Sequence, residues 1–155
     1  METTNLPESE IHLKVPSETT YLDLIRMSVT KVAEDAGFSP EEVNDIAIAV
    51  DEACTNVIKH AYNQQTNQNI DVVLKVDYQK LTIIIVDRGQ SFDPNAVPLP
   101  NMDQYIEELR VGGLGIYLMK TLMDEVDYEI EPGVQNRVKM VKYFMDDGKL
   151  KSVEH

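Results

Sequence analysis

Residues 39–62 read SPEEVNDIAIAVDEACTNVIKHAY. Ser39, Pro40 and Glu42 form a helix start. The hydroxyl can accept a first-turn N–H, proline loses no needed donor at the first helical position, and the glutamate can reach back to the cap. Helical spacing of the apolar residues predicts a helix to about Tyr62, before a polar loop at Asn63-Gln64-Gln65-Thr66-Asn67. At about 100° per residue, Val43, Ile46, Cys54, Val57 and Ala61 fall within about 40° of Val50, which defines a sheet-facing stripe. Glu52 and Asn56 lie nearly opposite, one turn apart. Asp45 and Ala49 share their side, with Ala53 and His60 at its edge. Small Ala49 and Ala53 leave room beside them. On the helix alone, a solvated face carrying a Glu and an Asn is the simpler reading.

Working outward, Ile11, Leu13 and Val15 alternate as in a half-buried strand ended by Pro16. Ser17 is the expected N-cap of a helix over Tyr21–Ala36, stopped by Gly37. Downstream, Ile70–Val76 and Leu81–Val86 predict a hairpin. A proline-containing connection follows, with a short helix possible at Asp103–Leu109; its length suggests a lid over residues 94–112. Gly115–Glu125 is helical, with Leu114, Leu118 and Leu122 in one row. Val126–Ile130 and Val138–Phe144 form a second hairpin around Pro132-Gly133, and residues 146–155 read as a frayed tail. Hairpin-paired strands and three helices with one apolar stripe each predict an α+β fold. It is a two-layer α/β sandwich in one domain over 1–155, its sheet mixed but mostly antiparallel, its helices on one face.

Composition narrows the function. The chain has 155 residues, 43% hydrophobic and 26% charged, the balance of a globular domain. No apolar run approaches the roughly 20 residues of a membrane helix, and no signal peptide is visible, so a cytoplasmic protein away from membranes is expected. One cysteine, Cys54, excludes an internal disulfide and a cysteine-built zinc site. A net charge of −13 argues against direct binding to nucleic acid, which needs a basic face. It suits a basic protein partner, or a nucleotide held with Mg²⁺; acidity that only aids solubility is the plain alternative.

Two further segments bear on Glu52 and Asn56. Asp87-Arg88-Gly89 closes the strand Leu81–Val86, and Gly112-Gly113-Leu114-Gly115 opens a helix. Taken singly, each is an ordinary turn. Glycines at a helix start also let backbone approach a ligand, and the free N–H groups there favour an anion such as phosphate.

In this order the three segments resemble the ATP-binding boxes of the GHKL superfamily. Asp51–Tyr62 is similar to the N box, Asp87-Arg88-Gly89 to the first glycine box and Gly112–Gly115 to the second. Ile48–Asn56, Ser91-Phe92-Asp93, Gly112–Met119 and Thr121–Val126 resemble, more closely, the bacterial anti-sigma-factor serine kinases of the RsbW and SpoIIAB type. The resemblance spans roughly residues 10–145. It implies the Bergerat ATP-binding fold, with ATP and Mg²⁺ as cofactors. Glu52 would be the general base and Asn56 the Mg²⁺ ligand. Asp87 would accept from the adenine amino group, and Gly89 would pack against the base. Gly113, Leu114 and Gly115 would line the phosphates, Arg110 would face the γ-phosphate, and Lys59 or His60 would assist. Where the family often has a threonine near the start of the final strand, Arg137 stands in this sequence.

The resemblance further implies a homodimer; the apolar strand Ile11–Val15 and the first helix are its expected interface. The protein would bind and inhibit a sigma factor. It would also phosphorylate a serine of an anti-anti-sigma STAS-domain protein. A non-catalytic ATP-binding regulatory module is the alternative, disfavoured by the intact Glu52. A histidine kinase's ATPase half is disfavoured by the lack of room for a phosphoacceptor domain. Accidental glycine boxes on an unrelated α/β domain are the last alternative.

Overall fold

The computed structural model describes residues 8–62, 67–90 and 113–144. The elements are β1 (Ser9–Pro16), α1 (Leu22–Ala36), α2 (Pro40–Asn56), β2 (Asn69–Val76), β3 (Lys80–Asp87), α3 (Gly113–Leu122), β4 (Glu125–Glu131) and β5 (Gln135–Tyr143). The strands form one sheet in the order β1-β2-β3-β5-β4. The expected two-layer α+β sandwich is present, but the sheet is not mixed: each pairing in it is antiparallel. The 94–112 lid, its possible short helix, Ser91-Phe92-Asp93 and the 146–155 tail lie outside the described residues.

The start of α2 forms as its sequence dictates. The Ser39 hydroxyl accepts from the Glu42 N–H at 3.1 Å, and the Glu42 carboxylate accepts from the Ser39 N–H at 2.9 Å. Gly37, with φ of 106°, ends α1 in the left-handed conformation. Ser17 does not cap α1. Its backbone N–H donates to the Gln68 carbonyl at 2.9 Å, extending the β1–β2 pairing, and a 3₁₀ turn over Thr19–Tyr21 leads into the helix. Nor is α2 regular to Tyr62. After Asn56 the helix widens into a π turn over Val57–Ala61, closed by the Tyr62 N–H on the Val57 carbonyl at 2.9 Å.

Side chains alternate across the sheet with period two. Ile70, Val72 and Leu74, then Leu81, Ile83 and Ile85, then Val138 and Met140 point to one face and are buried. Ile25, Val29 and Ala33 of α1, and Ile46, Val50 and Cys54 of α2, cover them. Edge strand β1 is less covered than its alternation suggested: Val15 is buried, whereas Ile11 is exposed. In α3 and directly after it the buried row is Gly115, Met119 and Met123, one residue on from the Leu114–Leu118–Leu122 row. Helix α2 packs on both α1 and α3. Among the described residues, no helix is long and apolar enough to cross a membrane.

Two outcomes follow. Ser39→Ala removes the cap and costs about 1 kcal/mol, lowering the midpoint of a thermal melt by about 2–4 °C. Burial first, and Asp51 second, push the Cys54 thiol up to about 12. A thiol reagent at neutral pH should therefore label the native protein only as fast as it unfolds, and rapid labelling of folded protein would contradict this packing.

Candidate active site

The far side of α2 does not face open water. Ala49 and Ala53 are 0% and 2% exposed. Their small side chains allow α3 to lie against α2, so the space the sequence assigned to them is filled by a helix. Glu52 and Asn56, both half-buried, then meet the head of α3. A Cβ added to Gly115 would sit 2.8 Å from Glu52 Oε1 and 3.2 Å from Asn56 Nδ2. A carboxylate, an amide and a helix N-terminus therefore share one small volume. The first-turn N–H groups of α3, which begins at Gly113, have no partner within the helix, an arrangement that favours an anion.

A second cluster lies at the end of β3. Asp87 is buried, and its Oδ1 accepts from the Gly89 N–H at 2.9 Å and from Asn136 Nδ2 at 2.8 Å. Burial raises its carboxyl above the ordinary aspartate value; the bonds from Asn136 and Gly89 oppose that rise. The π turn braces the same segment from the other side. The Gln90 N–H donates to the Ala61 carbonyl at 2.6 Å. The Tyr62 hydroxyl accepts from the Arg88 N–H at 2.8 Å and donates to the Asn69 carbonyl at 2.7 Å. Gly89 is seated so closely that an added Cβ would collide with the Ala61 carbonyl and come within 2.7 Å of Tyr62 Cδ1. Asn56, Val57, Ala61, Asp87, Tyr128 and Asn136 line one cleft between α2 and the sheet. It joins the two clusters, and burial together with nearby Asp87 raises the Tyr128 hydroxyl's pKa.

The structure thus brings together Glu52, Asn56, Gly115, Asp87 and Gly89. Lys59 is exposed on the π turn. Arg110, and the side chains of His60 and Leu114, lie outside the described residues. The residue opposite Asp87 is Asn136, not Arg137. Arg137 turns to the other face of the sheet and pairs with Glu129 at 2.7 Å. Period-two counting back from Val138 would have found Asn136. Tyr62 and the Ala61 carbonyl left no comparable signal, because a brace through backbone atoms carries no residue type.

The model of the histidine kinase-like ATPase domain family matches residues 15–142. The serine-protein kinase RsbW of Bacillus subtilis (strain 168) is 38% identical over 138 residues, covering 86% of this chain and 84% of the relative. The protein of the same name from Staphylococcus aureus is 38% identical over 141 residues, covering 88% and 87%. The crystal structure of the SiaB–SiaC complex from Pseudomonas aeruginosa aligns with a TM-score of 0.64 at 15% identity, over 88% of this chain and 89% of that one. The RsbU and RsbW domains of a Mycobacterium tuberculosis protein align with a TM-score of 0.62 at 14% identity, over 86% and 32%. These two structural likenesses concern the fold alone.

The two glycines should respond differently to alanine. At Gly89 the obstacle is backbone, so Gly89→Ala costs about 1–3 kcal/mol and lowers the melting midpoint. At Gly115 the obstacle is two flexible side-chain tips, and alanine favours the helix. Gly115→Ala should melt near the wild type while displacing Glu52. Equal destabilisation by both would contradict this geometry.

Proposed function

This chain belongs to the histidine kinase-like ATPase family, and on that premise we propose that it is an ATP-binding serine-protein kinase of the RsbW type, an anti-sigma factor working in a partner switch. In the switch it phosphorylates a serine of an anti-anti-sigma STAS-domain protein and, in its other state, binds and inhibits a sigma factor. The observation that carries this reading is the placement of Glu52 and Asn56 against Gly115 at the head of α3. The 38% identity to RsbW relatives over most of both chains supports the kinase assignment.

Phosphoryl transfer needs positioning, charge stabilisation and a group that takes the hydroxyl proton. Glu52 is that group. The N–H groups around Gly113, Leu114 and Gly115 hold phosphate oxygens. Asp87 accepts from the exocyclic amino group of adenine, and Gly89 allows the base to pack close. Among the described residues no three His, Cys, Asp or Glu side chains gather as a metal site. Mg²⁺ takes most of its ligands from phosphate oxygens and water, and the Asn56 amide oxygen would be its protein ligand. When bound, the ion would supply charge neutralisation on the phosphates. Arg110, Lys59 and His60 are candidates for the same task.

Docking on a basic sigma factor is consistent with the net charge of −13. A homodimer contact through β1 and α1 would cover Ile11, Leu24 and Met27, with Tyr21 of the adjoining 3₁₀ turn, all of which are exposed.

The test is transfer of ³²P from ATP to a small STAS-domain protein. Glu52→Gln should lower transfer at least about 100-fold with ATP affinity nearly unchanged, and Asn56→Ala should lose most of the Mg²⁺-dependent part of that affinity. Wild-type transfer by Glu52→Gln would remove Glu52 from its role. ATP binding without transfer to any cognate candidate would leave a regulatory nucleotide-binding module.

A further inference from the structure

The β2–β3 ladder stops short of the ends of its strands. Its last pair is Asp71–Val86, although β2 begins at Asn69 and β3 runs to Asp87. On their other sides both strands stay paired to the end, Asn69 with Pro16 of β1 and Asp87 with Asn136 of β5. The same register, carried two residues on, would set Arg88 opposite Asn69 and close the gap with a backbone bond. The Tyr62 hydroxyl occupies that place. It accepts from the Arg88 N–H at 2.8 Å and donates to the Asn69 carbonyl at 2.7 Å. The direction of both bonds is fixed, because an amide N–H can only donate and a carbonyl can only accept. Tyr62 is buried, and burial raises its pKa against the lowering effect of the Arg88 N–H, so the hydroxyl keeps the proton it donates.

Two hydrogen bonds in series span more distance than one. A hydroxyl between the strands therefore parts β3 from β2 where β3 runs into Asp87-Arg88-Gly89. Beyond the gap the Arg88 side chain pairs with Asp71 at 2.9 Å, so the parted ends stay tethered. The Tyr62 ring bears on the same turn: a Cβ added to Gly89 would come within 2.7 Å of its Cδ1. Asp87, at the head of that turn, lines the cleft. Resting on the reading of the cleft as an ATP site, we propose that Tyr62 is a positioning residue for the nucleotide. Its hydroxyl, wedged between Asn69 and Arg88, holds the end of the sheet open and sets where the Asp87–Gly89 turn meets the base. Without the hydroxyl, the Arg88 N–H and the Asn69 carbonyl face each other and pair directly, and the turn moves with them. The phosphates are met at the head of α3, by atoms this turn does not hold.

The test is calorimetric titration of the full chain with Mg-ATP and with Mg-tripolyphosphate, which lacks the base. The proteins are wild type and Tyr62→Phe, which keeps the ring and removes only the hydroxyl. Wild type should bind ATP more tightly than tripolyphosphate. Tyr62→Phe should lower ATP affinity about tenfold and leave tripolyphosphate affinity unchanged. In the ³²P transfer assay its KM for ATP should rise by the same factor while kcat holds. The ratio of the two affinities within one protein does not move if the variant is merely less stable. If phenylalanine weakens both ligands equally, or leaves ATP affinity at its wild-type value, Tyr62 only stabilises the fold and the proposal is overturned. If the wild type itself binds the two ligands alike, the reading of the cleft as a site for the base falls, and this proposal with it.

Discussion

The contact between α2 and α3 is the constraint on which the site depends. It is possible because Ala49 and Ala53 are small and fully enclosed; a larger side chain at either position would hold the helices apart. The other face of α2 is committed to the sheet through Ile46, Val50 and Cys54. A helix gripped on two sides cannot rotate, so Glu52 and Asn56 are fixed at the head of α3. Their side-chain tips lie close enough that any side chain at position 115 would displace them. A general base must be within hydrogen-bond reach of its proton, and here that reach is set by core packing rather than by a loop.

The other end of the cleft solves a different problem. A carboxylate at the end of β3 is buried, which disfavours its charged form. Hydrogen bonds from Gly89 and Asn136 oppose that cost, and the turn they depend on is tied to the π turn through the Ala61 carbonyl and the Tyr62 hydroxyl. The π turn begins immediately after Asn56. One irregularity in α2 therefore follows the last residue of the Glu52–Asn56 pair and supplies the carbonyl that seats Gly89. π turns within helices occur frequently at functional sites, and here the reason is visible: a regular continuation would place that carbonyl elsewhere.

Local chemistry was legible where the decisive interactions are local. The capping box at Ser39, the left-handed Gly37 and the stripe through Ile46, Val50 and Cys54 involve residues a few positions apart, and each appears as its spacing implies. Ser17 was misread because its backbone is claimed by Gln68, far along the chain. Ala49 and Ala53 were recognised as making space, but periodicity cannot say what enters it. Asn136 was missed by one residue: alternation shows which way it points, whereas only strand register shows that it lies opposite Asp87. The pairing of Glu52 with Asn56 was legible as geometry. Its meaning came from glycines more than fifty residues away, which no helical pattern contains.

Strand β5 links the two ends. Asn136, Val138, Met140 and Lys142 follow one another on the helix-facing side. Asn136 holds Asp87. Val138 and Met140 belong to the core that α3 covers with Met119 and Met123. Lys142 is buried and donates from Nζ to the Leu122 carbonyl at 2.7 Å, placing a positive charge at the C-terminus of α3, where the helix dipole favours one. One strand thereby sets the acceptor for the base and anchors the helix whose opposite end meets Glu52. Base recognition and phosphate positioning are then referred to the same rigid segment, so the distance between them is a property of the sheet. Loops around such a frame can vary widely without disturbing it, which accounts for a fold shared at 14–15% identity, while the chemistry stays with the few side chains that the frame aims into the cleft.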